Sequence, residues 1–260
     1  MRFSPALFLL AVLVPAIPPA HAVSSAEEGR LAEDLSTAMQ SGETVWLEAE
    51  GARFLALFDE TPWPNRRGGV LILHDQDGHP DRRPFPHALR MELPRRGWAV
   101  LALQLPNGES DDAAARLQAG LAWLEARKIA PLALIGHGAG GREAVQFLAG
   151  RKAAEPRALA LLDVTEPAAP PALRLFLDAL GQLRLPVTDI FCLRGTETPA
   201  AIARRAAASR LNIGYRQSAL YDEPKRMEDM ETMMVARLAG WLAKSLRAAS
   251  PGPSAPPARR

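Results

Sequence analysis

The segment His74-Asp75-Gln76-Asp77-Gly78-His79-Pro80-Asp81 sets two imidazoles and three carboxylates within eight consecutive residues. Side chains of these types ligate divalent cations or pass protons as general acid and base. A third imidazole, His137, lies in Gly136-His137-Gly138-Ala139-Gly140. If both stretches border one crevice, His74, His79 and His137, with Asp77 beside them, form a candidate cation site. The five-residue step from His74 to His79 permits this without specifying it, and no helix-borne His-Glu-x-x-His occurs. The alternative is structural, with the Asp81 carboxylate accepting backbone N–H groups in a turn and His137 hydrogen-bonding locally. On balance neither a metal nor a cofactor is assigned.

The elements that must position these residues are legible from hydrophobic patterning. GGVLILH (68–74) and GWAVLALQL (97–105) are continuous apolar runs, as expected of strands covered on both faces. PLALIGHG (131–138) reads as a third strand running into a helix through Phe147 and Leu148, and ALALLDV (158–164) as a fourth. SDDAAARLQAGLAWLEAR (110–127) predicts a helix with Ser110 as N-cap, Asp111 and Asp112 in its first turn, and Leu117, Leu121 and Leu124 on one stripe. PPALRLFLDALGQL (170–183) predicts another, burying Leu173, Phe176, Leu177 and Leu180. LPVTDIFCLRG (185–195) and LNIGYRQSAL (211–220) are the last strands. The helix between them has Thr198 as N-cap and Pro199 at its first position. A closing helix carries Met227, Met230, Met234, Leu238 and Trp241 at spacings of three and four, a core stripe. Upstream, ETVWLEAEGARFLALFDE (43–60) predicts a hairpin turning at Glu50-Gly51. The expectation is a single α/β domain over residues 43–248: a mostly parallel central sheet, helices on both faces and an N-terminal antiparallel hairpin.

The ends read differently. Residues 1–22 carry Arg2, an apolar stretch over residues 6–14 and the small-x-small triplet Ala20-His21-Ala22. This is the pattern of a signal peptide cleaved near Ala22, with an apolar core too short for a permanent anchor. The expected product is periplasmic, with no transmembrane anchor after cleavage. Residues 23–42 read as a short helix or loose arm, and residues 249–260 as a disordered Pro-rich tail. A net charge of +2 without a basic stripe excludes a nucleic-acid partner. The pairs Arg66-Arg67, Arg82-Arg83, Arg95-Arg96 and Arg204-Arg205 read as solvated surface. Cys192 is the only cysteine, so no intramolecular disulfide forms, and its apolar surroundings predict a buried strand thiol.

This order of elements, with LILHDQDGHPD after one strand and LIGHGAGG after another, resembles the α/β-hydrolase superfamily over roughly residues 43–246. More narrowly it resembles an exported bacterial branch of that fold whose function is uncharacterised. The resemblance implies a nucleophile elbow of the form Gly-x-Ser-x-Gly, in which Gly138 takes the place of the serine. It also implies a catalytic histidine after the last strand, yet no histidine follows His137. Tyr221 and Asp222 are the nearest polar residues there. The acid position could be filled by Glu197 or Asp163, but an acid alone activates no hydroxyl. Ser110, Ser209, Ser218 and Ser245 lack an elbow-like glycine context and read as structural. What remains is a candidate pocket of His74, Asp75, Gln76, His137, Gly138 and Ala139. Its oxyanion donors would be the backbone N–H of Ala139 and one near Asp75 or Gln76, with Asp75 and Asp77 opposing an anionic ligand. The expectation is a protein, leaning to non-enzymatic, that binds a small molecule or an envelope protein. The alternative is a hydrolase using a metal or acid–base groups from the His74–Asp81 loop and His137.

Overall fold

The structure, a computed structural model, describes residues 20–39, 41–106, 112–149, 151, 155–192, 198–220 and 227–247. Within these residues the chain alternates strand and helix after an opening helix, α1 (Ala20–Ala38), and a hairpin of β1 (Glu43–Ala49) and β2 (Ala52–Asp59). The hairpin turns at Glu50-Gly51, as the sequence predicts, with φ of 50° and 76° at those two residues. Ala49 pairs with Ala52, leaving a two-residue turn of the kind whose twist suits antiparallel strands.

The remaining strands are β3 (Gly68–Leu73), β4 (Trp98–Leu103), β5 (Leu132–His137), β6 (Ala158–Leu162), β7 (Val187–Cys192) and β8 (Tyr215–Leu220). They form one eight-stranded sheet in the order β1-β2-β4-β3-β5-β6-β7-β8. Pairing is antiparallel from β1 to β4 across β2 and parallel from β4 to β8. β3 to β6 are buried at nearly every position because helices cover both faces, which is why they read as unbroken apolar runs.

One face carries α3 (Asp112–Ala126), α4 (Ala139–Leu148) and α5 (Pro170–Gln182), whose Leu117, Leu121, Val145, Phe176 and Leu180 join Leu71, Leu134 and Leu161 in the larger core. α6 (Pro199–Ala208) packs beside α5. Its first N–H groups are capped as expected: the Thr198 hydroxyl accepts from Ala201 N at 3.2 Å, and Pro199 follows the cap. The opposite face carries α2 (Phe85–Glu92) and α7 (Met227–Arg247), with Met234, Leu238 and Leu242 packed on Val70, Ile72 and Ile135. α1 lays Ala32 over Leu55 and Leu57 of β2. Among the described residues no helix is long and apolar enough to cross a membrane.

Two expectations need correction. α2 was not anticipated; Pro84 before it, Pro86 within it and its eight-residue length hide a helix that nonetheless buries Phe85, Ala88 and Leu89. Arg205 is not solvated surface. It is fully buried, its Nε donating to Asp189 Oδ2 at 2.7 Å and one terminal amino group to Val164 O at 3.3 Å. Tyr215 donates to the same Asp189 oxygen at 2.6 Å, so the buried carboxylate is neutralised and hydrogen-bonded rather than left isolated. The Ser110 cap, Glu197, Tyr221, Asp222 and the tail 249–260 lie outside the described residues, as do residues 1–19 of the signal reading.

Candidate functional site

The carboxyl ends of β3 and β5 bring the two chemistry-bearing stretches together, because these strands are neighbours and Leu73 pairs with Gly136. β5 ends at His137 and α4 begins at Ala139, so the chain reverses through a single residue. That residue, Gly138, has φ 52° and ψ −120°. A side chain here would be strained, and glycine holds the geometry without that cost. The flanking glycines answer to close approach: a Cβ on Gly136 would lie 2.7 Å from Gly141 N, with backbone that cannot yield.

Asp75 dominates the turn. Its Oδ1 accepts from Ala139 N at 2.6 Å and from Gln76 N at 2.8 Å. These are the two backbone donors expected to face an external carbonyl oxygen, and both already hold a carboxylate of the chain itself. The side chain reaches them by occupying the space above Gly138. A Cβ on Gly138 would stand 2.5 Å from Asp75 Oδ2 and nearer still to Oδ1. Asp75 thus fills both the donor site and the volume a residue-138 side chain would need. The cavity left beside it, lined by His74, Asp75, Gln76 and Ala139 with Leu105 and Arg142, measures about 30 Å³. That is room for about two water molecules.

His74 is 2% exposed and spends both ring nitrogens on backbone. Nε2 accepts from Leu105 N at 2.9 Å, so the proton resides on Nδ1, which donates to Asp75 O at 2.7 Å. Burial lowers its pKa to about 4 and keeps the ring neutral. A ring with neither lone pair free is no metal ligand, so His74 drops out of the candidate cation set. His79 Nδ1 accepts from Asp81 N at 3.2 Å. His137 sits edge-on to Phe85, centroids 5.0 Å apart. Burial lowers the pKa of both rings, opposed at His137 by the Asp75 and Asp163 carboxylates. Among the described residues no three His, Cys, Asp or Glu side chains converge as a metal site. Asp163 closes β6 with φ 47° and donates its N–H to Ile190 O at 2.8 Å. A wider groove of about 820 Å³ opens between α3, α4 and α5, but none of the six candidate pocket residues lines it.

The far end of the loop is anchored by residues the sequence reading missed. Asp81 does not cap backbone N–H groups; its Oδ1 accepts from His87 Nδ1 at 2.8 Å and Arg90 Nε at 3.0 Å. Arg90, 3% exposed, also donates to Asp59 Oδ2 at 2.7 Å. Desolvation raises the Asp59 pKa, and Arg90 opposes that shift. The signal that could have exposed α2 is the apolar step Phe85, Leu89 with Leu93 following, which puts Arg90 beside a buried stripe.

The family described as protein of unknown function, DUF3530, matches residues 13–114 and 109–244. The chain belongs to this family. Among solved structures this DUF3530 chain is similar to the Pyrococcus furiosus esterase Pf2001 at 16% identity and TM-score 0.65, covering 82% of this chain and 93% of that one. It is similar to the esterase domain of a Rhodothermus marinus protein at 16% identity and TM-score 0.62, over 80% and 100% of the two chains. Dienelactone hydrolase from Anabaena variabilis gives 18% identity and TM-score 0.63, over 80% and 99%. These likenesses place the DUF3530 chain in the α/β-hydrolase fold. No curated protein matches its sequence.

Proposed function

We propose that this protein is a non-hydrolytic α/β-hydrolase-fold protein of the cell envelope that acts by binding a small molecule or a protein partner. The elbow is degenerate on this reading, with Gly138 standing where its fold relatives would carry the attacking residue. One observation carries it: the Asp75 carboxylate occupies the two backbone donors and the space above Gly138. An acyl group entering this site would have to displace a charged ligand that the chain supplies itself. It would then meet no hydroxyl at residue 138. Metal or acid–base hydrolysis through His74 is disfavoured by the same geometry, since both its ring nitrogens are engaged. Export rests on the sequence of residues 1–22, with cleavage near Ala22.

Purified protein, offered esters, thioesters and amides together with a fluorophosphonate serine probe, is expected to give neither turnover nor labelling. Turnover that follows the protein through successive columns and exceeds a denatured control would reject the proposal. N-terminal sequencing of protein from the periplasmic fraction is expected to begin near Val23.

A further inference from the structure

The sheet has a second edge, and there the polar chemistry is open rather than self-satisfied. Where β3, β4 and β5 begin, a crevice of about 510 Å³ lies between the loop after β2 and the end of α7. That volume falls within the range of small-molecule sites. Its lining includes Trp63, Asn65, Arg67, Trp98, Leu246 and Arg247. Trp98 and Leu246 are almost fully buried and make an apolar floor, while Trp63 remains 42% exposed as one wall.

The wall is held in place. The Trp63 indole N–H donates to Arg95 O at 3.2 Å, and Trp63 N donates to the Thr61 hydroxyl, which itself donates to Pro94 O at 2.8 Å. Arg67 is fixed through its backbone N–H to Gly97 O at 2.8 Å, and its guanidinium lies over the Trp63 ring, 5.1 Å from the centroid. Gly97 makes this stack fit. A Cβ there would stand 3.0 Å from Trp63 Cε3 and 3.2 Å from Arg67 Cδ.

The charges are unbalanced in a directional way. Glu60 is taken by Arg66 and Glu92 by Arg95 and Arg96. Among the described residues no carboxylate pairs with Arg67 or Arg247, and Arg67 Nε is buried without an acceptor. The Arg67 guanidinium is thus short of acceptors among the described residues, and with Arg247 it lines the crevice, so an acceptor entering there meets two guanidinium groups with no carboxylate partner among the described residues. The C-terminal dipole of α7 opposes an anion here, but at about half a unit charge it is outweighed by two guanidinium groups.

We propose that this crevice binds a carboxylate with an apolar tail, the head on Arg67 and Arg247 and the tail between Trp63 and the Trp98–Leu246 floor. The site is separate from Asp75 and does not depend on how residue 75 behaves.

The test is titration of decanoate into the purified full-length protein, read by tryptophan fluorescence and calorimetry, with decanol and decyltrimethylammonium as neutral and cationic controls. Expected are saturable one-to-one binding of decanoate, weaker binding of both controls, and at least roughly tenfold weaker decanoate binding in Arg67→Gln. Should Arg67→Gln fail to fold, Trp63→Leu is expected to weaken decanoate by roughly fivefold through loss of the aromatic wall. No saturable decanoate binding, decanol binding as tight as decanoate, or a folded variant with undiminished affinity would each overturn the proposal.

Discussion

The two edges of this sheet treat the same problem in opposite ways. At the carboxyl edge two backbone N–H donors converge, and the adjoining loop supplies Asp75 to meet them, leaving about 30 Å³ of space. At the amino edge a buried Arg67 Nε has no acceptor among the described residues, beside about 510 Å³. Hydrogen-bonding capacity that a chain satisfies internally offers nothing to a ligand, whereas capacity left over is available for binding. Likeness of fold directs attention to the first edge; the unmet donor directs it to the second.

The contrast can be broken most forcefully at residue 138. Gly138→Ser puts a side chain where Asp75 lies and strains a positive-φ turn, so a loss of about 3 kcal/mol is expected in denaturant unfolding. In an Asp75→Gly background the same change should cost about 1–2 kcal/mol less. Additive losses would show that the two residues do not compete for space.

Acid should loosen the first edge next. The His74 pKa of about 4 lies below the ordinary value of 6.5, so the unfolded chain takes up this proton before the folded one does. The stabilisation is complete above about pH 6.5 and disappears as the pH falls to about 4, a change on the order of 3 kcal/mol. His79 and His137 shift in the same direction. Unfolding midpoints compared at about pH 7 and about pH 5 should reveal the loss, and His74→Gln should flatten it.

Smaller effects sharpen the comparison. Asp75→Ala strands the N–H groups of Ala139 and Gln76, at a cost of about 2 kcal/mol, and should gain thermal stability from added formate. Asp75→Asn keeps an acceptor oxygen and should stay within about 1 kcal/mol of the native chain. A formate response in the unaltered protein would mean that Asp75 leaves its donors readily. At the amino edge, Arg67→Gln removes the stack on Trp63 and the unmet buried donor together, two effects of opposite sign, so the free energy of unfolding should change by no more than about 1 kcal/mol.

The fold was legible because β3 to β6 are covered on both faces and cannot hide their apolar runs, and because Thr198-Pro199 and Glu50-Gly51 carry local signals for a cap and a turn. α2 escaped because the helix is short and Pro84 and Pro86 interrupt its pattern. Arg205 escaped because a basic pair gives no sign that one member points inward to Asp189. At the candidate site, the tight strand-to-helix turn at Gly138 and the N–H at the helix start, Ala139, were readable from the glycine spacing. The destination of the Asp75 side chain was not, because it depends on how two loops 64 residues apart in sequence meet. The amino-edge crevice left no motif at all, as its walls come from four separate segments.

A carboxylate tethered one residue from Gln76 and packed against Ala139 meets its donors at an effective concentration that a dissolved acid reaches only with difficulty. It also imposes an order on change. A chain gaining a side-chain nucleophile at residue 138 must alter position 75 first, since the other order passes through two groups claiming one volume.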